Sequence, residues 1–173
     1  MAIMSISERS YVMPAYMKIG SIQGEATEKD HKDWILVQSM SSPISRTIPS
    51  GAKDQQRTKG ETILGDVVVV RDLDKSSPKL AEACANGTFF PEVEISFCTQ
   101  VKNKQEPYLT YKLKDVIVSS YNFHGNAKGD PIPTEQVSLA FSEIEWNYVV
   151  VDPRTGDPKG NVPARYSPGE GHS

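Results

Sequence analysis

The sequence is poor in the residues that build metal sites, disulfide frameworks and membrane spans. It has two cysteines and three histidines among 173 residues. Cys84 and Cys98 lack C-x-x-C spacing, so reduced thiols are expected rather than a disulfide framework or a zinc site. No apolar run approaches the roughly 18 residues of a membrane helix. The first 15 residues lack the continuous apolar core of a secretory signal peptide. Any export would therefore need another machine.

The residues that are present have the proportions of an ordinary globular domain. Hydrophobic residues make up 38% and charged residues 24%, and 19 basic against 22 acidic side chains give a net charge of −3. These fractions are close to the average of soluble proteins, and the length predicts one domain with a substantial core. A pI near 5.6 argues against a protein whose main task is to neutralise nucleic-acid phosphates.

Alternating apolar residues predict a mainly β fold. The clearest strand runs from Pro91 to Val101, with an apolar and a polar face. Two later segments, 108–118 and 135–149, change the phase of their alternation midway. A phase change within one long strand requires either a β-bulge or a face that no longer has to be buried. Bulges bend strands, as barrels require, and we favour that interpretation. The sequence therefore predicts a small, partly closed antiparallel β-barrel. Further strands are expected at 16–23 and 34–37, and a β-rich segment at 63–70 is broken by Gly65, which is typical of a bulge.

One helix, over residues 77–86, interrupts the β pattern. Ser77 is expected to cap it, Pro78 suits the first helical position, and Asn86-Gly87 supplies a stop. Small residues make its apolar face narrow, which predicts close packing against the barrel. The apolar residues that recur at helical spacing are Leu80, Ala81, Cys84 and Ala85, and those predicted to pack against the barrel are Leu80, Ala81 and Cys84.

The predicted barrel domain covers residues 16–150. Three segments, one within it and one on either side, lack the apolar alternation that is typical of packed strands or helices. Residues 1–15 are expected to form a poorly ordered arm. Residues 151–173 form a tail with prolines at intervals of five, expected to be extended and solvated. Residues 41–60 form a long polar loop, a length that is usually functional or mobile. Its basic residues, set against Asp54 alone, are Arg46, Lys53, Arg57 and Lys59.

The basic loop has three interpretations. It is either a solvated loop or a docking element that finds an acidic surface on another molecule. Binding of nucleic acid is a weaker third interpretation, because no aromatic residues are interleaved with the basic ones.

The residue types of common catalytic sites are not arranged in recognisable motifs. The chain has no G-x-S-x-G, Walker or G-x-G-x-x-G motif, and its histidines are far apart. The pairs Glu92/Glu94 and Glu143/Glu145 each lie on one face of a strand. Paired carboxylates can perform acid–base chemistry, but a solvated strand face or an assembly surface is the simpler interpretation. We therefore expect no catalytic residue, metal or cofactor.

Several stretches resemble the haemolysin-coregulated protein (Hcp) family, the inner-tube subunits of bacterial type VI secretion. The most specific is DKSSPKLAEACANG, residues 74–87, followed by Phe90-Pro91. The stretches 16–19 with Gly24-Glu25, 31–37, 116–121 and 137–148 are also similar to that family and occur in the same order. The likeness covers about residues 15 to 150. The N-terminal arm is longer than usual, and the proline-spaced tail is distinctive.

The resemblance implies a non-enzymatic structural subunit that forms hexameric rings, stacked head to tail into a hollow tube. It also implies sheath and spike proteins as partners, small effectors in the lumen, and secretion from the bacterial cytoplasm by the type VI machine. The family's long loop, which helps rings to stack, matches residues 41–60 by position. We hypothesise that the basic loop supplies one stacking face and that acidic strand or turn residues, with Glu92 and Glu94 as candidates, supply the other.

Two other classes of function stay open from the sequence. A small-ligand-binding barrel would bury its ligand inside the monomer, whereas a tube subunit would fill its barrel with side chains. A hydrolase with scattered catalytic residues is the second alternative. Membrane insertion and nucleic-acid binding are not expected.

Overall fold

A computed structural model describes residues 13–51, 53, 55, 60–101, 104–128, 132–152 and 154–168. These residues form antiparallel strands and one α-helix, α1, at Ser77–Asn86. The strands are β1 (Ala15–Ile19), β2 (Ile35–Val37), β3 (Ser39–Ser41), β4 (Ile44–Arg46), β5 (Thr62–Leu64), β6 (Val67–Asp72), β7 (Phe89–Val101), β8 (Lys104–His124), β9 (Thr134–Ala140), β10 (Glu143–Val151) and β11 (Pro158–Tyr166). The predicted mainly β fold with one helix is confirmed.

The main sheet curls back towards its own beginning. Its strands follow the order β2-β1-β7-β8-β9-β6-β3, with β10 and β11 branching from β8. The two ends of this path, β2 and β3, are separated along the chain only by Gln38. The Gln38 N–H donates to the Val70 carbonyl at 2.9 Å. The chain segment 35–41 thus bridges the first and last strands and gives the sheet the character of a small barrel.

Apolar side chains fill the space that the sheet encloses. Strand alternation places one face of each strand inward, and β6 shows it as buried Val67, Val69 and Arg71 between half-buried neighbours. The fully buried apolar residues of this core include Met17, Ile19, Ile35, Val67, Val69, Leu80, Val93, Ile95, Leu113, Val116, Val137, Leu139 and Ile144.

The phase change predicted in residues 108–118 lies at a kink in β8. Asp115 has a left-handed φ of 53°, and buried residues switch there from Leu113 to Val116 and Val118. The Ser142 hydroxyl donates to Asp115 Oδ2 at 2.6 Å from the neighbouring strand edge. This local conformation moves the apolar side chains to the other parity, so β8 bends while the same face stays buried.

The prediction of a single long strand over residues 135–149 is wrong. The structure has two strands, β9 and β10, separated by Phe141 and Ser142. Both pair with β8, β9 beyond the kink and β10 before it. The break between β9 and β10 lies next to Asp115 of β8. The alternation of buried side chains therefore shifts by one residue at the same place in both partners, and the apolar side chains stay on the inward face.

Helix α1 begins one residue earlier than its predicted cap implies. Ser76 occupies the N-cap position, and its N–H donates to Asp74 Oδ1 at 2.8 Å, while Ser77 Oγ accepts from the Asp74 N–H at 3.0 Å. Ser77 is therefore the first helical residue and not the cap. The helix ends as predicted at Gly87, whose φ of 62° is the left-handed conformation that glycine adopts without a Cβ clash.

The sequence analysis predicted an extended, solvated C-terminal tail and missed the strand at residues 158–166 within it. These residues form β11, which pairs with β10 from Ile144 opposite Tyr166 to Val151 opposite Pro158. The error has a physical cause, because strand pairing depends on backbone hydrogen bonds and not on apolar side chains. Pro158 and Pro163 lack a backbone N–H, but the other residues of β11 supply backbone donors and acceptors. The strand is exposed over most of its length.

The predicted N-terminal arm lies outside the described residues up to position 12. Met13 and Pro14 lead into β1, which begins at Ala15, one residue inside the predicted arm. The Pro14 carbonyl accepts from the Cys98 N–H at 2.9 Å. Nowhere in the described ranges does a helix have the length and apolar character needed to cross a bilayer.

Candidate assembly surfaces

Strands β4 and β5 form a hairpin that is not hydrogen-bonded into the main sheet, although Leu64 on β5 packs against the core. In the part of the chain that the structure describes, they pair only with each other, from Ile44 opposite Leu64 to Arg46 opposite Thr62. Ile44, Ile48 and Ile63 on this hairpin are each about half exposed. An isolated two-stranded hairpin is marginally stable in water. Exposed isoleucines on such a hairpin are typical of a segment that packs against another molecule.

Two of the four basic residues predicted as stacking candidates lie in the described part of this region, Arg46 on β4 and Lys53 in the segment between β4 and β5. The Arg46 guanidinium donates to the Gly60 carbonyl at 2.8 Å and to Thr62 Oγ1 at 3.1 Å, so it ties the two strands together. Lys53 is exposed. Arg57 and Lys59 lie outside the described residues. The chain from 41 to 60 carries four basic residues and one acidic residue, a net charge of 4 − 1 = +3.

Glu92 and Glu94, the predicted acidic candidates, lie on a face of the main sheet that carries both signs of charge. Glu94 stands opposite Lys18 of β1 on one side and Lys112 of β8 on the other. Continuing through the strand registers, one row across the sheet reads Lys18, Glu94, Lys112, Glu145 and Arg165, and the next reads Glu92, Lys114 and Glu143.

These cross-strand charges compensate one another. Lys114 Nζ lies 2.8 Å from a Glu145 oxygen and 3.0 Å from a Glu143 oxygen. Hydrogen bonds to Glu145 and then Glu143 raise the pKa of Lys114 to about 12, and the bond from Lys114 lowers the pKa of Glu145. Opposite charges on adjacent strands stabilise a sheet. The face around Glu92 and Glu94 is therefore mixed in sign and is a weaker candidate for receiving a basic loop than the sequence suggests.

A buried ionic network fastens α1 to the barrel. Arg71 on β6 and Glu135 on β9 are cross-strand partners, both at most 1% exposed, and Arg71 Nη1 lies 2.5 Å from Glu135 Oε1. Arg71 Nη2 lies 2.5 Å from Asp74 Oδ1 in the turn that starts α1. The Tyr121 hydroxyl donates to Glu135 Oε2 at 2.5 Å. Burial and this bond raise the pKa of Tyr121 to about 12.

The sequence analysis missed this network, although a signal for it exists. Arg71 continues the parity of Val67 and Val69, and Glu135 continues that of Val137 and Leu139. A single charge on the apolar parity of a strand ordinarily marks the strand end. Two opposite charges at the ends of two such apolar runs predict a buried ion pair if the two strands are neighbours. The sequence does not show that β6 and β9 are neighbours, so the pair could not be predicted.

The helix residues predicted to contact the barrel differ in how deeply they lie. Leu80 is fully buried, and Cys84 is partly buried against the core cluster. Ala81 is half-buried. Ala83, which the sequence analysis did not include, is 4% exposed, because the inward face of the helix passes through 80, 83 and 84 at i, i+3 and i+4.

The loop from 20 to 34 is held on the outer face of the sheet by a buried histidine. The His31 ring stacks on Tyr16, with centroids 4.5 Å apart, and meets Trp34 edge-on at 4.8 Å. Its Nδ1 lies 2.7 Å from Glu28 Oε2. The same carboxylate oxygen accepts the N–H groups of Asp30 and His31, both at 3.0 Å, and so caps the short 3₁₀ turn Lys29–His31.

Glu28, His31 and Cys98 form a line of groups that superficially resembles a catalytic triad. His31 Nε2 lies 3.9 Å from Cys98 Sγ. Cys98 is fully buried, however, and burial, followed by the charges of Glu28, Glu106 and Asp30, raises the pKa of its thiol to about 12. A nucleophilic cysteine needs a lowered pKa and access to substrate. The Cys98 thiol, buried and with a raised pKa, has neither property.

Glu28→Gln is expected to destabilise the protein by about 1 kcal/mol at neutral pH, the usual contribution of a helix-capping side chain. Burial acts to raise the pKa of Glu28, but hydrogen bonds from the His31 side chain and from the Asp30 and His31 N–H groups outweigh it, so the pKa is lowered. A lowered carboxyl pKa stabilises the fold above the unfolded pKa, and this stabilisation is lost as the pH falls through the folded value. Urea unfolding of both proteins at several pH values should show the difference vanishing in acid.

In the described ranges, no three histidine, cysteine or acidic side chains are grouped so that they could hold a metal ion. The described surface has three distinct features. They are the β4–β5 hairpin with its exposed isoleucines and basic segment, a sheet face of mixed charge, and a helix held to the barrel by the Arg71 network. These features are the candidates for contact with other macromolecules.

Comparison with known proteins assigns the family. Residues 16–148 match the family model described as "Type VI secretion system effector, Hcp". The chain belongs to the Hcp family. Among curated proteins, it is 30% identical over 152 residues to Protein hcp1 of Pseudomonas aeruginosa, covering 87% of this chain and 91% of that one. The Major exported protein of the same organism is 29% identical over 157 residues, covering 79% and 90%.

Solved structures agree with the Hcp assignment. A structure described as a type six secretion system protein superposes with a TM-score of 0.82 at 31% identity, covering 90% of this chain and 96% of the other. Hcp1 from Salmonella typhimurium gives a TM-score of 0.71 at 25% identity, covering 90% and 95%. The chain is thus an Hcp-family tube protein of type VI secretion and a secreted protein. Proteins of this family form ring assemblies, which supports self-association.

Proposed function

We propose that this chain assembles into six-membered rings that stack head to tail into a hollow tube for effector delivery, with the β4–β5 hairpin making contact between rings. The observation that carries the proposal is this hairpin, which pairs with no other strand in the described ranges and exposes Ile44, Ile48 and Ile63. Burying those side chains in a neighbouring subunit would supply roughly 25 cal/mol per Å² of apolar surface removed from water.

The proposal also includes where the protein goes and what it meets. Made in the bacterial cytoplasm, it leaves by the type VI machine and meets sheath and spike proteins, with small effectors carried in the lumen. Membership of a family of structural, secreted tube proteins supports this course. The interior of the barrel also supports it over a ligand-binding barrel, because apolar side chains such as Met17, Ile35 and Leu139 fill that space.

Light scattering across a range of protein concentrations tests ring formation. Six copies of a 19.1 kDa chain have a mass of 6 × 19.1, about 115 kDa, and head-to-tail addition of rings should raise the mean mass in steps of that size. A monomer of constant mass at every concentration would overturn the proposal.

Charge reversal at Arg57 and Lys59 is expected to weaken stacking. The effect should be larger at low salt, where opposite charges on two rings are less screened. Sedimentation of the tube fraction at two salt concentrations measures this, with Lys79→Glu and Lys75→Glu near α1 as a charge-matched control. Equal tube yields for the reversed and parent proteins would show that these residues do not contribute.

A further inference from the structure

A groove lined by apolar and acidic side chains lies at one end of the barrel. It has a volume of about 460 Å³, and its walls come from the start of β1, the end of β2, the turn after β6 and the segment before β9. Large apolar side chains exposed in groups are typical of a surface that is covered by another segment or molecule. Those of the groove are Met13, Leu36 and Ile132, which are 60%, 41% and 60% exposed. The charged residues of its described lining form an acidic rim: Glu25, Asp72 and Asp74.

Two carboxylates of the acidic rim keep an uncompensated charge. Asp74 is paired with Arg71, whose Nη2 lies 2.5 Å from Asp74 Oδ1. Asp72 Oδ1 accepts a hydrogen bond from Gln38 Nε2 at 2.7 Å, which leaves its negative charge in place. None of the ion pairs between described residues includes Asp72 or Glu25. The rim is therefore suited to receive a cationic side chain.

The first twelve residues of the chain are joined to β1 at this groove. The chain bends at Met13, and the Met13 side chain lines the groove. The Pro14 carbonyl accepts from the Cys98 N–H at 2.9 Å, which fixes the point of attachment. Tyr11 and Arg9 precede Met13 by two and four residues, so their Cα atoms lie within about 7 and 14 Å of it. Such a short tether holds both side chains at a high local concentration near the groove.

The sequence of this segment matches the chemistry of the groove. Residues 9–12 read Arg-Ser-Tyr-Val, so they supply a cation, an aromatic ring and an aliphatic side chain. In an extended chain, alternate side chains lie on the same side. Arg9 and Tyr11 can therefore face the groove together, while Glu8, whose charge would be repelled by the acidic rim, faces away.

We infer that residues 9–12 dock in the groove of their own chain. The Tyr11 ring packs against Leu36 and Ile132 and removes their exposed surface from water. The Arg9 guanidinium lies against the acidic rim and supplies the cation that its carboxylates lack. The contact is made within a single chain, so it goes beyond the proposed ring assembly and does not depend on it.

Trypsin cleavage after Arg9 tests the docking. Proteolysis of a docked segment follows the fraction of time for which the segment is released, so Ile132→Asp is expected to speed the initial release of peptide 1–9 roughly fivefold. Mass spectrometry of the full chain measures that rate. Val162→Asp on β11, where the side chain is 59% exposed against 60% for Ile132, is the control and should match the parent. Equal rates for the two variants would overturn the inference.

A charge variant tests the acidic rim separately. Glu25→Lys is expected to raise the rate of cleavage after Arg9 several-fold at low salt, because it places a like charge beside the guanidinium. The difference should shrink at high salt, where the charges are screened. Glu82→Lys on the exposed side of α1 makes the same change in charge and is the control. If Glu25→Lys and Glu82→Lys are cleaved equally fast, the acidic rim does not hold Arg9 and the inference fails.

An intrachain cross-link tests the position of the segment directly. Tyr11→Cys and Ile132→Cys are combined in a Cys84→Ser background and mildly oxidised at low protein concentration. The expected product is a single chain closed by a disulfide, whereas the control pair Tyr11→Cys and Val162→Cys should stay reduced. Equal cross-linking in the two pairs would overturn the inference.

Dependence on protein concentration distinguishes the chain's own segment from a neighbouring copy. Docking within one chain predicts that cleavage after Arg9 in the parent is equally slow at concentrations where the protein is associated and where it is not. Protection that is lost on dilution would show that another copy covers the groove, and it would overturn the inference. Protection that persists in a sample without rings would support the docking, although the missing rings would overturn the proposed function.

Discussion

Arg71→Met is expected to lower the free energy of unfolding by about 3–5 kcal/mol, the usual cost of breaking a buried ion pair by removing one partner. The variant leaves the Glu135 carboxylate, 1% exposed, hydrogen-bonded to the Tyr121 hydroxyl but without its cationic partner Arg71. It also removes the Asp74 contact that holds the first turn of α1. Urea denaturation at a fixed protein concentration measures the effect, since assembly makes apparent stability depend on concentration.

Two matched variants identify the cause of that loss. Arg71→Met combined with Glu135→Leu removes both charges and should recover most of the stability, because an apolar pair needs no desolvation of ions. Lys79→Met breaks the exposed pair with Glu82, whose side chains are 67% and 54% exposed, and should change the free energy of unfolding by less than about 1 kcal/mol. If Arg71→Met were no more destabilising than Lys79→Met, the network would not anchor the helix.

Leu80→Asp is expected to destabilise the protein by about 3 kcal/mol or more. Leu80 is fully buried where α1 meets the core, so the substitution removes apolar contacts and places a carboxylate without a cationic partner in an apolar site. Thermal unfolding followed by circular dichroism measures the shift in Tm.

Ala85→Asp on the exposed side of α1 is the control for Leu80→Asp, since it introduces the same charge into the same helix without burial. The control should unfold near the parent temperature. Equal Tm values for Leu80→Asp and the parent would mean that the inward face of the helix is assigned wrongly.

The sequence predicts well those elements whose signals are local. The alternation in β7 and the Gly87 stop of α1 follow from steric and periodic rules that act within a few residues. The number of strands in 135–149 could not be predicted, because the break at Phe141 and Ser142 matches a kink in β8 that is distant in sequence. Strand β11 was missed because its hydrogen bonds to β10 leave no apolar pattern.

The candidate surfaces divide in the same way. The basic character of residues 41–60 is visible in the sequence, and the structure adds the hairpin and its exposed isoleucines. Glu92 and Glu94 were predicted as the acidic partner of this segment. They do share one face of β7, but each stands opposite a lysine of β8. Met13, Leu36 and Ile132 line one groove although they come from distant segments, so the sequence alone could not bring them together.

The central claim is that copies of this chain form rings and that the rings stack through the hairpin. Negative-stain electron microscopy of the full chain at high concentration, alongside an Ile48→Asp, Ile63→Asp variant, tests it most directly. The account predicts rings with a central hole for both proteins, and stacked side views for the parent only. Isolated monomers in the parent sample, or stacks that are equally abundant in the variant, would contradict it.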